Sequence, residues 1–212
     1  LIGGKTALSK AENKIKVALT QEIEVVASLW YGGNSTYGNI EQLIQHESVQ
    51  KADVLFAVGG GRACDTVKVI GEKLAKPVFT FPTIGSNCSP VTAVCVIYNE
   101  EGVMDGLFFP SKPPVHTFID TAIIAEAPDK YLWAGIGDAL SKEVESTFSA
   151  RGDDLGYTDR LGIQIGKMCI DRLLTYGTQA LKDSADDRPS YAIEQVVSDI
   201  IVRSEERRVG KE

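Results

Sequence analysis

The run Ala52-Asp53-Val54-Leu55-Phe56-Ala57-Val58 is followed directly by Gly59-Gly60-Gly61. It is short, almost wholly apolar and shows no alternation of polar and apolar residues. A strand of that kind has to be buried on both faces, as in the interior of a parallel sheet covered by helices. An antiparallel sheet with one wet face would leave half of these side chains in water. The stretch Cys64 to Leu74 then reads as a helix, so the glycines stand at a strand-to-helix turn.

The same punctuation recurs along the first 127 residues. Leu1-Ile2 before Gly3-Gly4 reads as the end of a buried strand. A helix is expected from Thr6 to Thr20, a strand from Glu22 to Trp30 and a helix from Asn39 to Gln50. Further strands are expected at Pro77 to Phe81, Val91 to Tyr98 and Val115 to Ile119, with a polar loop at Pro82 to Pro90. Strand–helix–strand alternation implies parallel strands joined by crossover helices, a doubly wound α/β layer. After Pro128 the pattern becomes helical, at Tyr131 to Ala150, Thr158 to Leu181 and Ser190 to Val202. The expected organisation is an α/β domain over 1–127 and the start of an all-helical domain over 128–202. Residues 203–212 (RSEERRVGKE) carry seven charges in ten residues and are expected to be a non-native tail.

Composition removes several function classes. The net charge of −7 opposes general nucleic-acid binding, which needs cations against phosphates. No uncharged apolar run approaches the ~20 residues that span a bilayer, and the first residues show no basic segment followed by an apolar run and a cleavage site. The four cysteines, Cys64, Cys88, Cys95 and Cys169, form no C-x-x-C pair. Reduced thiols and a cytoplasmic location are expected. Only two histidines, His46 and His116, are present to serve metal chemistry.

Three segments carry candidate chemistry. In Gly59-Gly60-Gly61-Arg62-Ala63-Cys64-Asp65-Thr66-Val67-Lys68, glycine lets the backbone approach a ligand, and the helix start offers free N–H groups to a pyrophosphate. A tight structural turn explains the glycines equally well. Asp65 reads as a cap of the helix start or an acceptor for a ribose hydroxyl, and Lys68 as a solvated helix residue. The loop Phe81 to Pro90, rich in hydroxyls and amides, would lie at the carboxyl end of a parallel strand, where such sheets bind ligands. An ordinary polar turn is the alternative. In Ala134-Gly135-Ile136-Gly137-Asp138, a carboxylate is expected in the first turn of an apolar helix. There it would serve the helix dipole, or else point into a cleft as a metal ligand.

Taken together and in this order, GGGRACDTVK, FPTIGSNCSPVTAVCVIY and IDTAIIAEAPDKYLWAGIGDALSKEVE resemble the iron-containing alcohol dehydrogenase family, in its glycerol dehydrogenase-like branch. The resemblance implies a dehydroquinate synthase-like fold. A parallel-sheet nucleotide-binding domain would precede a helical domain that carries a divalent metal, zinc or iron. It implies hydride transfer between NAD or NADP and an alcohol, polyol, hydroxyacid or carbonyl. Gly60 and Gly61, with Arg62 and the amides through Asp65, would hold the pyrophosphate. Thr83 and Ser86 would contact the cofactor, and Thr92, Val94 and Tyr98 would line its nicotinamide end. Asp138 would be a metal ligand and Cys88 a substrate contact.

Three departures from the family pattern shape the expectation. Cys88 stands where glycerol dehydrogenases carry a substrate-contacting Asp, which counts against glycerol itself. Gly3-Gly4 stand where an acidic residue would bind the adenine ribose, so a 2′-phosphate is not repelled and NADP is expected to be accepted. The two histidine ligands have no counterpart, since neither His46 nor His116 falls at a ligand position. Truncation at both ends is therefore expected, with no turnover by this chain and with its first strand preceding Leu1. The partner would be a small alcohol or carbonyl, with no nucleic acid and no membrane, and a homo-oligomer is compatible with the sequence. Two other readings stay open: a non-catalytic dinucleotide-binding module, or a relative of dehydroquinate synthase and glycerol-1-phosphate dehydrogenase in which Lys142 holds substrate.

Overall fold

The computed structural model describes residues 1–152 and 154–203. The charged tail lies outside the described residues from 204 onward. The chain divides into two compact units. One comprises Leu1–Thr83 and Ser89–Asp120, the other Ile84–Cys88 and the helices from Thr121.

The first unit is built on a five-stranded, all-parallel sheet. Its strands are β1 (Ile2–Gly3), β2 (Leu29–Trp30), β3 (Leu55–Gly59), β4 (Val78–Pro82) and, after a separate hairpin β5 (Cys95–Tyr98) and β6 (Met104–Phe108), β7 (His116–Thr117). The order across the sheet is β2-β1-β3-β4-β7. The chain builds outward from β1 to β2 and then restarts on the other side of β1 with β3. The crevice between β1 and β3 is therefore a topological switch point, where open α/β sheets take their ligands. The buried run at 55–59 is the central strand, as its lack of alternation requires. Leu55 and Ala57 join a core with Ile40, Leu43, Ile44, Val67 and Ile70. Phe56, between them, faces the other side and meets Phe79 and Phe81, with ring centroids 5.5 and 5.0 Å away.

The helices of this unit are α1 (Lys5–Ala18), α2 (Tyr37–Gln45), α3 (Glu47–Lys51) and α4 (Gly61–Leu74). The helix expected over 39–50 is two helices. His46 breaks it in an extended conformation (φ −71°, ψ 127°), closing α2 and capping α3 as its Nδ1 accepts from the Ser48 N–H at 3.3 Å. The strand expected from Glu22 shrinks to Leu29–Trp30. Ile23 and Val26 stay half exposed, 46% and 52%, so they lack the burial that would lengthen the pairing. The run Val91 to Tyr98 is also corrected. It starts as a 3-10 turn at Ser89–Val91, and only Cys95–Tyr98 is strand, paired antiparallel with Met104–Phe108 away from the main sheet.

Glycine at position 3 is imposed by packing. A Cβ there would lie 2.1 Å from the Val58 carbonyl oxygen on β3, so only glycine allows the two strands to run side by side.

The second unit holds α5 (Thr121–Ala125), α6 (Asp129–Ser149), α7 (Tyr157–Ala185) and α8 (Tyr191–Ser198), closed by a π-helical turn at Asp199–Arg203. Ile124, Leu132, Leu173, Ile193, Val196 and Val197 are buried. The loop 84–88 belongs here because Gly85 sits against α6. A Cβ on Gly135 would lie 2.1 Å from the Gly85 carbonyl oxygen. No helix among the described residues is long and apolar enough to cross a membrane.

Candidate cofactor site at the glycine turn

At the end of β3 the backbone turns through Gly59, whose φ of +149° favours glycine. A Cβ there would also meet the Ala63 Cβ at 3.0 Å. Gly60 is the N-cap of α4 and makes no side-chain cap, so no N-cap side chain accepts from the first N–H groups of the helix. Gly60 and Gly61 are half-buried and Arg62 is exposed. The Arg62 guanidinium lies over the Tyr98 ring, 4.6 Å from its centroid, an arrangement that holds both side chains beside the turn. Thr83 is buried, and its backbone N–H donates to the Gly59 carbonyl at 3.2 Å. The next strand thus ends directly against the glycine turn. This donor set fits the pyrophosphate of a dinucleotide: glycine backbone, an uncapped helix start and a flanking guanidinium.

Asp65 and Lys68 do something the sequence did not show. Asp65 lies beyond the first turn of α4 and does not cap it. Lys68 is not solvated; it is 2% exposed. Its ammonium meets Asp65 Oδ1 at 2.9 Å and donates to the backbone carbonyls of Ser89 at 2.8 Å, Thr92 at 3.1 Å and Val94 at 2.7 Å. Asp65 Oδ1 accepts from the Ser89 hydroxyl at 2.7 Å, and Oδ2 accepts from the Val96 N–H at 3.1 Å. Three expected cofactor residues, Asp65, Thr92 and Val94, therefore converge on one buried cation. Burial, the largest single influence, pulls the Lys68 pKa down, but the Asp65 carboxylate together with the neighbouring Cys95 and Cys64 outweighs it, and the net shift is upward. The missed signal is the spacing Asp65-x-x-Lys68, which sets both side chains on one helix face.

Ser86 and Cys88 are half-buried in the loop of the second unit. Asp138 is in the middle of α6, not its first turn, because the helix already starts at Asp129. Its Oδ1 accepts from the Lys142 ammonium at 3.1 Å, and Lys142 also reaches Glu145 at 3.4 Å. Among the described residues no three His, Cys, Asp or Glu side chains gather to hold a metal ion. His46 caps α3, and His116 packs on Phe118 with ring centroids 4.6 Å apart. The donor set among the described residues does not fit a divalent metal.

Fold and turn define a parallel α/β protein with a topological switch point between β1 and β3. The chain belongs to the iron-containing alcohol dehydrogenase family, whose sequence profile matches residues 1–128. It is similar to a glycerol dehydrogenase of Thermotoga maritima, 35% identical over 175 residues, covering 79% of this chain and 47% of that protein. It is also similar to hydroxycarboxylate dehydrogenase A of Escherichia coli K12, 31% identical over 201 residues, with 94% and 55% covered. Among solved structures, a probable glycerol dehydrogenase from Sinorhizobium meliloti superposes with a TM-score of 0.84 at 25% identity, over 96% of this chain and 57% of that one. The chain spans about half the length of the curated relatives it matches.

Proposed function

We propose that this chain carries the dinucleotide-binding part of an NAD(P)-dependent oxidoreductase acting on a small alcohol, polyol, hydroxyacid or the matching carbonyl. The observation that carries this reading is the Gly59–Gly61 turn, placed at the switch point and leading into an uncapped α4. Gly60, Gly61 and Arg62 would hold the pyrophosphate, and Thr83, Thr92, Val94 and Tyr98 the nicotinamide side. The nicotinamide, when bound, supplies the hydride chemistry. The protein's own residues bind, orient and shield it. The kinship with glycerol and hydroxycarboxylate dehydrogenases supports the substrate class. Cys88 favours a substrate other than glycerol, since a thiol does not replace a carboxylate as acceptor for a polyol.

Acceptance of NADP is part of the same reading. No acidic residue occupies the first turn of α1, and the Lys5 ammonium lies 4.6 Å from the Trp30 ring centroid, at the carboxyl ends of β1 and β2. That edge presents a cation, not a carboxylate, to a 2′-phosphate. Calorimetric titration of the chain with NADH and NADPH tests both points. Binding of both, with comparable affinities, is expected. Binding of neither overturns the dinucleotide reading, and a strong preference for NADH overturns the NADP part. A longer form of the protein, assayed on diols, 2-hydroxyacids and aldehydes with each cofactor, tests the substrate class.

A further inference from the structure

We infer that the buried Asp65–Lys68 pair positions the segment 89–94 as the seat for the nicotinamide half of the dinucleotide, an inference that rests on the proposed function. That segment has no sheet partners of its own. It is held from two sides. From α4, Lys68 binds the Ser89, Thr92 and Val94 carbonyls, and Ser89 Oγ reaches both Asp65 and the Gly61 carbonyl, the latter at 3.2 Å. From the sheet, the Thr80 and Thr117 hydroxyls donate to the Pro90 carbonyl at 2.7 and 3.1 Å. The Ser89 hydroxyl, which donates mainly to Asp65, also lies 3.2 Å from the Gly61 carbonyl and so sets the segment against the glycine turn. A dinucleotide crossing the β1/β3 crevice has one half over β1 and β2 and the other on the β4 side, where β4 and β7 anchor this segment.

A buried ion pair stabilises a fold little compared with apolar residues of equal volume, so its value here is geometric. It sets three carbonyls and one hydroxyl in a fixed arrangement before the cofactor arrives, and preorganisation of that kind is read out as affinity. Lys68, buried beneath the segment, is a positioning residue and touches no cofactor atom.

The test titrates the full chain and two variants with NAD+ and with ADP-ribose, which keeps the pyrophosphate and lacks the nicotinamide. Lys68→Met removes the tie. Asp65→Leu/Lys68→Met also removes the stranded carboxylate and is read if the single variant does not fold. The expected result is a loss of about tenfold or more in NAD+ affinity, with ADP-ribose affinity within about twofold of the parent. Hydrogen exchange at the Thr92 to Val96 amides is expected to rise. Equal weakening of both ligands, no weakening of either, or unchanged exchange overturns the positioning role while the proposed function stands. A parent chain that binds neither ligand overturns the proposed function and this inference with it.

Discussion

The chain contains two Asp–Lys pairs on helices, and they behave differently. Asp65–Lys68 on α4 is sealed: both side chains are at most 6% exposed, and every partner is another fixed polar group of the same unit. Asp138–Lys142 on α6 has a buried ammonium at 3% but a carboxylate that is 36% exposed, and its other partner, Glu145, is 46% exposed. A ligand-contacting role is open to both carboxylates in the sequence, to Asp65 as an acceptor for a ribose hydroxyl and to Asp138 as the metal ligand that the resemblance implies. The surroundings separate them. Where water reaches the carboxylate, the pair is screened and replaceable. Where it does not, losing one partner strands a charge.

The largest effect should therefore follow Lys68→Met. Removing one member of a fully buried pair costs about 3–5 kcal/mol, read as a lowered midpoint in urea unfolding. If Lys68→Met and Asp138→Asn cost the same, the contrast between the pairs is false. A second test addresses how the loop beside each pair is held. The segment 89–94 is fixed by hydrogen bonds, whereas 84–88 is fixed by close packing of Gly85 on Gly135. Gly135→Ala places a Cβ against backbone that cannot yield cheaply, and a cost of about 1–3 kcal/mol is expected from such overpacking.

Alkaline pH sharpens the comparison further, because two buried thiols lie close to the first pair. Cys64 and Cys95 are both fully buried, and burial pushes each thiol up from 9.0 to about 12. The folded state then keeps these protons where the unfolded state releases them. Their contribution is fully present below pH 9 and is lost as the pH climbs from about 9 towards 12. Lys68, also raised, acts in the same direction at pH above 10.5. Urea midpoints measured at pH 7, 9 and 10.5 should hold steady to about 9 and then fall. A flat profile contradicts the burial of these groups. At pH 8 a thiol reagent should modify the half-buried Cys88 well before Cys64, Cys95 and Cys169, which are all buried.

What the sequence reveals follows the range of the interactions. The central strand is legible because a strand buried on both faces needs only apolar residues, all of them local. The glycine turn is legible because it joins adjacent elements. The break at His46 is less so, since the apolar period of Ile40, Leu43 and Ile44 runs on to Val49 and conceals an extended residue between two short helices. The hairpin at 95–108 escapes because half of it, Met104 to Phe108, is mostly exposed and carries no burial pattern. Lys68 escapes for a deeper reason. A lysine three residues after an aspartate on a helix looks solvated in any local window, and its acceptors lie more than twenty residues further along the chain.

The smallest expected effect is the one that most directly separates the two pairs. Asp138→Asn keeps the shape of the side chain and an acceptor for Lys142, and removes only a charge that water already reaches in part. A stability change of at most about 1 kcal/mol is expected, falling further when salt is raised, because exposed charges are screened. Lys142 keeps Glu145 as a second carboxylate, so its ammonium is not stranded. Lys68 has no such reserve: every other group it meets among its bonded partners is neutral, and Asp65 is its counter-charge. Urea unfolding of Asp138→Asn at low and high salt is the measurement. A loss near that of Lys68→Met, unaffected by salt, would mean that Asp138 is as much a fixed part of its unit as Asp65 is of the first.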